Sequence, residues 1–200
     1  MTETKEKIGV IFLHGSFGTA GGPVLILSQL RFLTSRGYFV KIVEYRNPPN
    51  LLDDVEQVKI KRQELIDEGC INIIPYGNSR GCWPAFWSMI LHPELFAGII
   101  AVAGPTNLVT LKAIPGGYSN YFIFKYDKKE SSPVNYGSIL GRKPLLLIYG
   151  KADKIVPITQ GIEISMIVKS SKFYGINAGH EVNSHPYTQA AILNFLKGIY

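Results

Sequence analysis

Ser79 stands at the centre of Gly77-Asn78-Ser79-Arg80-Gly81, a G-x-S-x-G flanked by the apolar runs Ile73-Ile74-Pro75-Tyr76 and Trp83-Pro84-Ala85-Phe86-Trp87. That order reads as strand, tight turn and helix, which is the context the motif requires. The turn lifts the serine hydroxyl clear of the sheet, over the amino end of a helix. Backbone N–H groups and the helix dipole favour negative charge there. A serine hydroxyl is a weak nucleophile at neutral pH, so the chemistry needs a base. Of four histidines, His180 in Asn177-Ala178-Gly179-His180-Glu181 alone has small flanking residues and a loop position between the last strand and the last helix. His185, at the start of that helix, is its competitor, and His92 ends an earlier helix in a His-Pro pair. An acid must hold the imidazole in one tautomer and stabilise its cation. Asp153, just beyond the fifth predicted strand, suits that role, with Asp127 as the alternative. Acyl transfer also needs donors for the developing oxyanion. The backbone N–H of Arg80 is one, and the loop His14-Gly15-Ser16-Phe17-Gly18 after the first strand supplies the other, from Ser16 first and Phe17 second. His14 itself reads as structural, its ring bonding neighbouring backbone. The glycines at 15, 18, 21 and 22 have neither dinucleotide nor P-loop spacing.

These groups must be placed by the elements between them. Residues 8–13 form a continuous apolar run, as expected of a strand buried on both faces. Apolar residues recur at helical spacing over 24–35, with Gly37 as a stop. Strands are predicted at 38–45, 71–76, 96–102, 144–149 and 172–174. Helices are predicted at 51–68, 83–91, 159–168 and 184–198. Strands alternating with helices imply an α/β fold: a doubly wound, mostly parallel sheet of about six strands with helices on both faces. Ligands on such sheets bind at the carboxyl ends of the strands, and the candidate groups Ser79, Asp153, His180 and the His14-Gly15 loop each follow one of those ends. Trp83, Phe86 and Trp87 are expected to pack as core beneath the sheet, and Cys82 as a small buried residue.

The order Ser79, Asp153, His180 is that of the α/β-hydrolase superfamily, which the chain resembles over nearly all its length. His92-Pro93-Glu94-Leu95-Phe96 running into Ala101-Val102-Ala103-Gly104-Pro105 looks like the catalytic domain of prolyl oligopeptidase-type serine hydrolases, as does Gly150-Lys151-Ala152-Asp153 followed by Val156-Pro157. The form is minimal, with a short lid. The resemblance implies Ser79 as nucleophile, His180 as general base and then acid, and Asp153 as its orienter. Two departures stand out: Cys82 where those peptidases usually carry a second glycine, and Pro84 within the first turns of the following helix. The expectation is a domain without an N-terminal propeller, and so without a gate that restricts entry to short peptides.

The expected reaction is hydrolysis of a small ester or thioester through an acyl-enzyme on Ser79. A short-peptide or amide hydrolase of prolyl oligopeptidase type is the alternative. An acyltransferase would use the same acyl-enzyme with water excluded. Outside catalysis, the alternative is a ligand-binding protein on a hydrolase fold. The stretch 105–142 is where α/β-hydrolases insert a lid. Its Tyr118, Tyr121 and Phe122, with Phe17, are expected to line the substrate pocket, beside Phe124 and Tyr126. No metal or organic cofactor is required.

At 200 residues the chain reads as one α/β-hydrolase domain over 1–200, long enough to bury a core without disulfide or metal. Its two cysteines, Cys70 and Cys82, are too few for a disulfide framework. With 46% hydrophobic and 18% charged residues, disorder is excluded. No apolar run approaches the roughly 20 residues of a membrane span, and the polar start lacks a signal-peptide core. The expectation is a cytoplasmic protein with no membrane association. The net charge of +6 is uneven: ten basic and ten acidic residues in 1–100, eleven and five in 101–200. Without any nucleic-acid-binding signature, the basic excess (Lys112, Lys125, Lys128, Lys129, with Arg46 and Arg80) reads either as a solvated charged loop or as the mouth of a site for a small acyl substrate that is anionic or carrier-bound.

Overall fold

The structure is a computed structural model describing residues 6–15, 23–44, 51–111 and 127–199. In chain order the elements are β1 (Ile8–Leu13), α1 (Pro23–Thr34), β2 (Phe39–Ile42), α2 (Leu51–Asp67), β3 (Asn72–Asn78), α3 (Cys82–Leu91), β4 (Ile99–Val102), α4 (Gly137–Leu140), β5 (Leu145–Gly150), α5 (Thr159–Ile167), β6 (Lys172–Ile176) and α6 (Pro186–Lys197). The strands form one sheet in the order β2-β1-β3-β4-β5-β6, with every pairing parallel.

The unbroken apolar runs of β1, β4 and β5 follow from burial on both faces. Side chains alternate across the sheet. Val10, Phe12, Ile74, Tyr76, Ile100 and Ile148 face a core layer completed by Phe32 and Leu33 of α1 and by Ile192, Phe195 and Leu196 of α6. Ile11, Leu13, Ile73, Ala101 and Leu147 face the opposite layer, built by α2, α3 and α5 through Val58, Leu65, Phe86, Met89 and Ile164. Helices therefore cover both faces, in a doubly wound α/β-hydrolase arrangement. The strand order reverses direction between β1 and β3, so the carboxyl end of β3 opens at the switch point where such sheets hold ligands.

Every strand but β1 differs from expectation at an end; β3 runs to Asn78 rather than 76, and β5 is shifted by one residue. β2 stops at Ile42, and 45–50 lie outside the described residues. The fourth strand begins at Ile99 rather than 96, because Pro93–Leu95 form a 3-10 turn first. β6 continues to Ile176 because Gly175 and Ile176 pair with Tyr149 and Gly150; a glycine there masks the strand in the sequence. Phe86 packs against the sheet as expected, whereas Trp83 does not. It joins a separate cluster with Leu51 and Val55 of α2 and with Leu108 and Leu111, and Trp87 packs against it. Trp87 packs against the sheet-facing core as well, so of the two indoles only Trp83 leaves it, and both donate to the Ser131 carbonyl (2.9 and 3.2 Å). Among the described residues no helix is long and apolar enough to cross a membrane.

Candidate active site

The site is built from three connections at the carboxyl edge of the sheet. The first is the turn leaving β3. Ser79 has φ 53°, in the left-handed region that a non-glycine residue seldom occupies. The glycines either side make this bend sterically feasible. A Cβ on Gly77 would lie 2.4 Å from the Cys82 Cα, and one on Gly81 would lie 2.0 Å from the Leu13 carbonyl oxygen. The turn continues as a 3-10 helix, Ser79–Gly81, directly into α3. Ser79 is buried but for 8% of its surface.

The second connection follows β5 and carries Asp153. Its Oδ1 accepts the N–H groups of Ile155 (2.8 Å) and Val156 (2.9 Å), which fixes the carboxylate's orientation. The third follows β6 and carries His180. The Ala152 N–H donates to the Ala178 carbonyl at 3.0 Å, stitching this loop to the Asp153 turn. Just beyond, Asn183 takes the Tyr76 hydroxyl of β3 on its Oδ1 and the Gln29 amide of α1 on its carbonyl, tying the loop to the sheet and to α1.

These anchors bring three distant side chains into one row. His180 Nε2 lies 2.8 Å from Ser79 Oγ, across 101 positions of sequence. His180 Nδ1 lies 2.7 Å from Asp153 Oδ2. With a carboxylate at Nδ1, that nitrogen carries the proton and donates it, leaving Nε2 to accept from the serine hydroxyl. The competitors are elsewhere: His185 caps α6, its Nδ1 accepting the Tyr187 N–H, and Asp127 accepts the N–H of Glu130. His14 bonds its own turn, Nδ1 lying 2.6 Å from the Gly15 carbonyl. Burial, aided by the nearby Arg80 charge, lowers its pKa and favours the neutral ring. A cavity of about 430 Å³ opens beside His180, lined by Ile155, Ala178, Gly179 and Glu181.

One charged group escaped the sequence reading. Asp54, in the first turn of α2, reaches the Arg80 guanidinium at 3.4 Å (Nη2 to Oδ2), and both side chains are buried. Burial raises the Asp54 pKa to about 6, against the opposing pull of Arg80 and with a further push from Asp53. An acidic pair opening a helix looks like ordinary dipole compensation in a sequence, so nothing there pointed to Arg80. Ser16, Phe17, Arg46, Lys112, Tyr118, Tyr121, Phe122, Phe124, Lys125 and Tyr126 lie outside the described residues.

The sequence profile of the prolyl oligopeptidase family matches residues 44–190. No curated protein matches the sequence. Among solved structures, one from the study of the metagenome-derived lipolytic enzymes LipS and LipT superposes with a TM-score of 0.71 at 16% identity, covering 96% of this chain and 94% of its own. A puromycin-hydrolyzing peptidase of Mycobacterium tuberculosis gives 0.71 at 19% identity, with 98% of this chain and 33% of that one covered. The acylaminoacyl peptidase of Pyrococcus horikoshii gives 0.72 at 17%, covering 98% and 37%. The chain thus spans about a third of the length of these two peptidases. At such identities the likeness is one of fold.

Proposed function

This chain belongs to the prolyl oligopeptidase family and is a serine hydrolase of the α/β-hydrolase type, and from that premise we propose that it cleaves a small ester or thioester through an acyl-enzyme on Ser79. The observation that carries the reading is the unbroken hydrogen-bonded row Ser79–His180–Asp153, with the serine at the apex of a left-handed turn. His180 Nε2 takes the hydroxyl proton as Ser79 Oγ attacks the carbonyl carbon. Asp153 keeps Nδ1 protonated and stabilises the imidazolium. The negative oxygen of the tetrahedral intermediate meets the main-chain N–H of Arg80, with Ser16 as the second donor. His180 then protonates the leaving alkoxide or thiolate. Water, deprotonated by the same nitrogen, releases the acid and restores Ser79.

An ester or thioester comes first because one of the solved structures that this chain spans almost end to end is from work on lipolytic enzymes. The family match favours a second reading, cleavage of a short peptide or amide. A substrate bearing a carboxylate or held on an acidic carrier accords with the excess of basic residues in 101–200.

The test is covalent labelling with a fluorophosphonate, adduct mapping, and turnover of short p-nitrophenyl esters beside matched p-nitroanilides. Ser79→Ala abolishes labelling and lowers kcat by about 10⁶, the scale of losing a serine nucleophile. Turnover or labelling that survives in Ser79→Ala refutes the reading. Anilide turnover exceeding ester turnover transfers the assignment to the peptidase reading.

A further inference from the structure

The buried Asp54–Arg80 pair has no part in the proton transfers described above. As a stabilising device it is poor. It makes a single contact of 3.4 Å, and Asp54 Oδ1 has no hydrogen-bond partner among the described residues. For Asp54, desolvation is repaid by that one contact, a return commonly matched or bettered by an apolar side chain. Its placement, in contrast, is specific. Arg80 immediately follows Ser79, and its main-chain N–H is the proposed oxyanion donor. Asp54 belongs to a different element, packed against α3 and the sheet. The groups facing the pair are Asp53 on the Asp54 side and His14 on the Arg80 side.

We propose that Asp54 is a positioning residue for the oxyanion hole: its carboxylate holds the Arg80 side chain against the first turn of α2 and thereby fixes the Arg80 peptide whose N–H receives the negative oxygen. This rests on the reading of Ser79 as nucleophile. The turn needs such an anchor because its left-handed serine is an unfavourable conformation, held only by its surroundings. Gly77 and Gly81 supply close backbone contacts on either side of the bend, and the ion pair ties down the residue between Ser79 and Gly81. Burial raises the carboxyl of Asp54 into the range where the pair forms and dissolves near pH 6. The anchor is therefore complete at neutral pH and lost under mild acid.

Three variants test this: Asp54→Asn, Arg80→Met and Arg80→Lys. Each is assayed on a short p-nitrophenyl ester and against an alkylboronic acid, whose serine adduct mimics the tetrahedral anion. Asp54→Asn and Arg80→Met are expected to lower kcat about tenfold, an intermediate fraction of the 10² attached to a 1 Å displacement, and to weaken the boronic acid by the same factor. KM stays within about twofold, since the donor serves the transition state. Adding Asp54→Asn to Arg80→Met costs nothing further, because the contact between them is already broken. Arg80→Lys is expected to lose less kcat than Arg80→Met, since the pair uses only one nitrogen. An Asp54→Asn enzyme with unchanged or raised kcat and boronate affinity refutes the proposal, as does a loss confined to KM. Should Asp54→Asn fail to fold, the Met-against-Lys contrast decides alone, and equal activities refute the proposal. Wild-type turnover that survives in Ser79→Ala overturns the function reading instead, so the two failures are distinct.

Discussion

Gly81 closes the Ser79 turn against the end of β1, and adding one methyl group there should disable the site. An alanine Cβ would sit 2.0 Å from the Leu13 carbonyl oxygen, 2.5 Å from its carbon and 2.8 Å from the His14 oxygen. Ordinary contact begins near 3.4 Å, so the gap must open by about 1.4 Å. No side chain can rotate away, because every obstructing atom is backbone. β1 cannot move either, being paired with β2 on one side and β3 on the other. The turn yields instead, and Ser79 and the Arg80 N–H shift together. Displacement on the order of 1 Å costs about 10² in rate, or about 2.7 kcal/mol of transition-state stabilisation. Overpacking adds about 1–3 kcal/mol of lost stability, a fall in Tm of roughly 2–12 °C for a chain of this size. The control is Gly179→Ala. Gly179 adjoins His180, yet its Cβ would meet nothing within 4 Å. Ester turnover, fluorophosphonate labelling rate and a thermal melt on both variants suffice. Wild-type kcat/KM in Gly81→Ala, or equal damage in Gly179→Ala, would show that close backbone approach does not set the turn.

Two further outcomes follow from groups away from the nucleophile. Asp54 titrates near 6 when folded against its usual 3.8, so the folded protein binds that proton more tightly than the unfolded chain does. Its contribution is therefore fully favourable below about 3.8 and lost as pH rises through 6, a span worth up to about 3 kcal/mol. The stability of Asp54→Asn relative to wild type should accordingly rise between pH 4.5 and 7.5 in urea titrations, and a flat or falling difference would contradict the buried-carboxylate account. Gln160 Oε1 accepts the N–H groups of Thr106 (2.9 Å) and Asn107 (2.8 Å), holding the connection after β4 onto α5. Gln160→Ala should cost about 2–4 kcal/mol by stranding both donors and Gln160→Glu far less, a ranking that chemical denaturation reads directly; equal losses would show that the acceptor is unimportant.

The positions of these residues were unequally visible beforehand. The turn around Ser79 was legible because strand, glycine spacing and helix are neighbours in sequence. β1, α2, β5 and α6 were likewise legible, since burial on one or two faces writes its period directly into the chain. The end of β6 was not, because Gly175 owes its strand conformation to β5 rather than to any propensity of its own. Trp83 and Trp87 were recognisable as apolar and helical. The sequence could not indicate that Trp83 leaves the sheet core or that both indoles reach the Ser131 carbonyl, since a helix with more than one apolar face does not declare which one meets the sheet.

What the chain determined by itself, then, is the set of parts: alternating strands and helices, a serine on a tight bend, and an acid and histidine in loops after later strands. Only the tertiary structure brought His180 rather than His185 to Ser79 and Asp153 rather than Asp127 to His180, and only it joined Asp54 to Arg80. The physical reason is range. Local pattern reflects burial and backbone preference over a few residues, whereas a 2.8 Å contact spanning 101 positions exists only once the sheet has ordered its strands and brought their carboxyl ends to one edge.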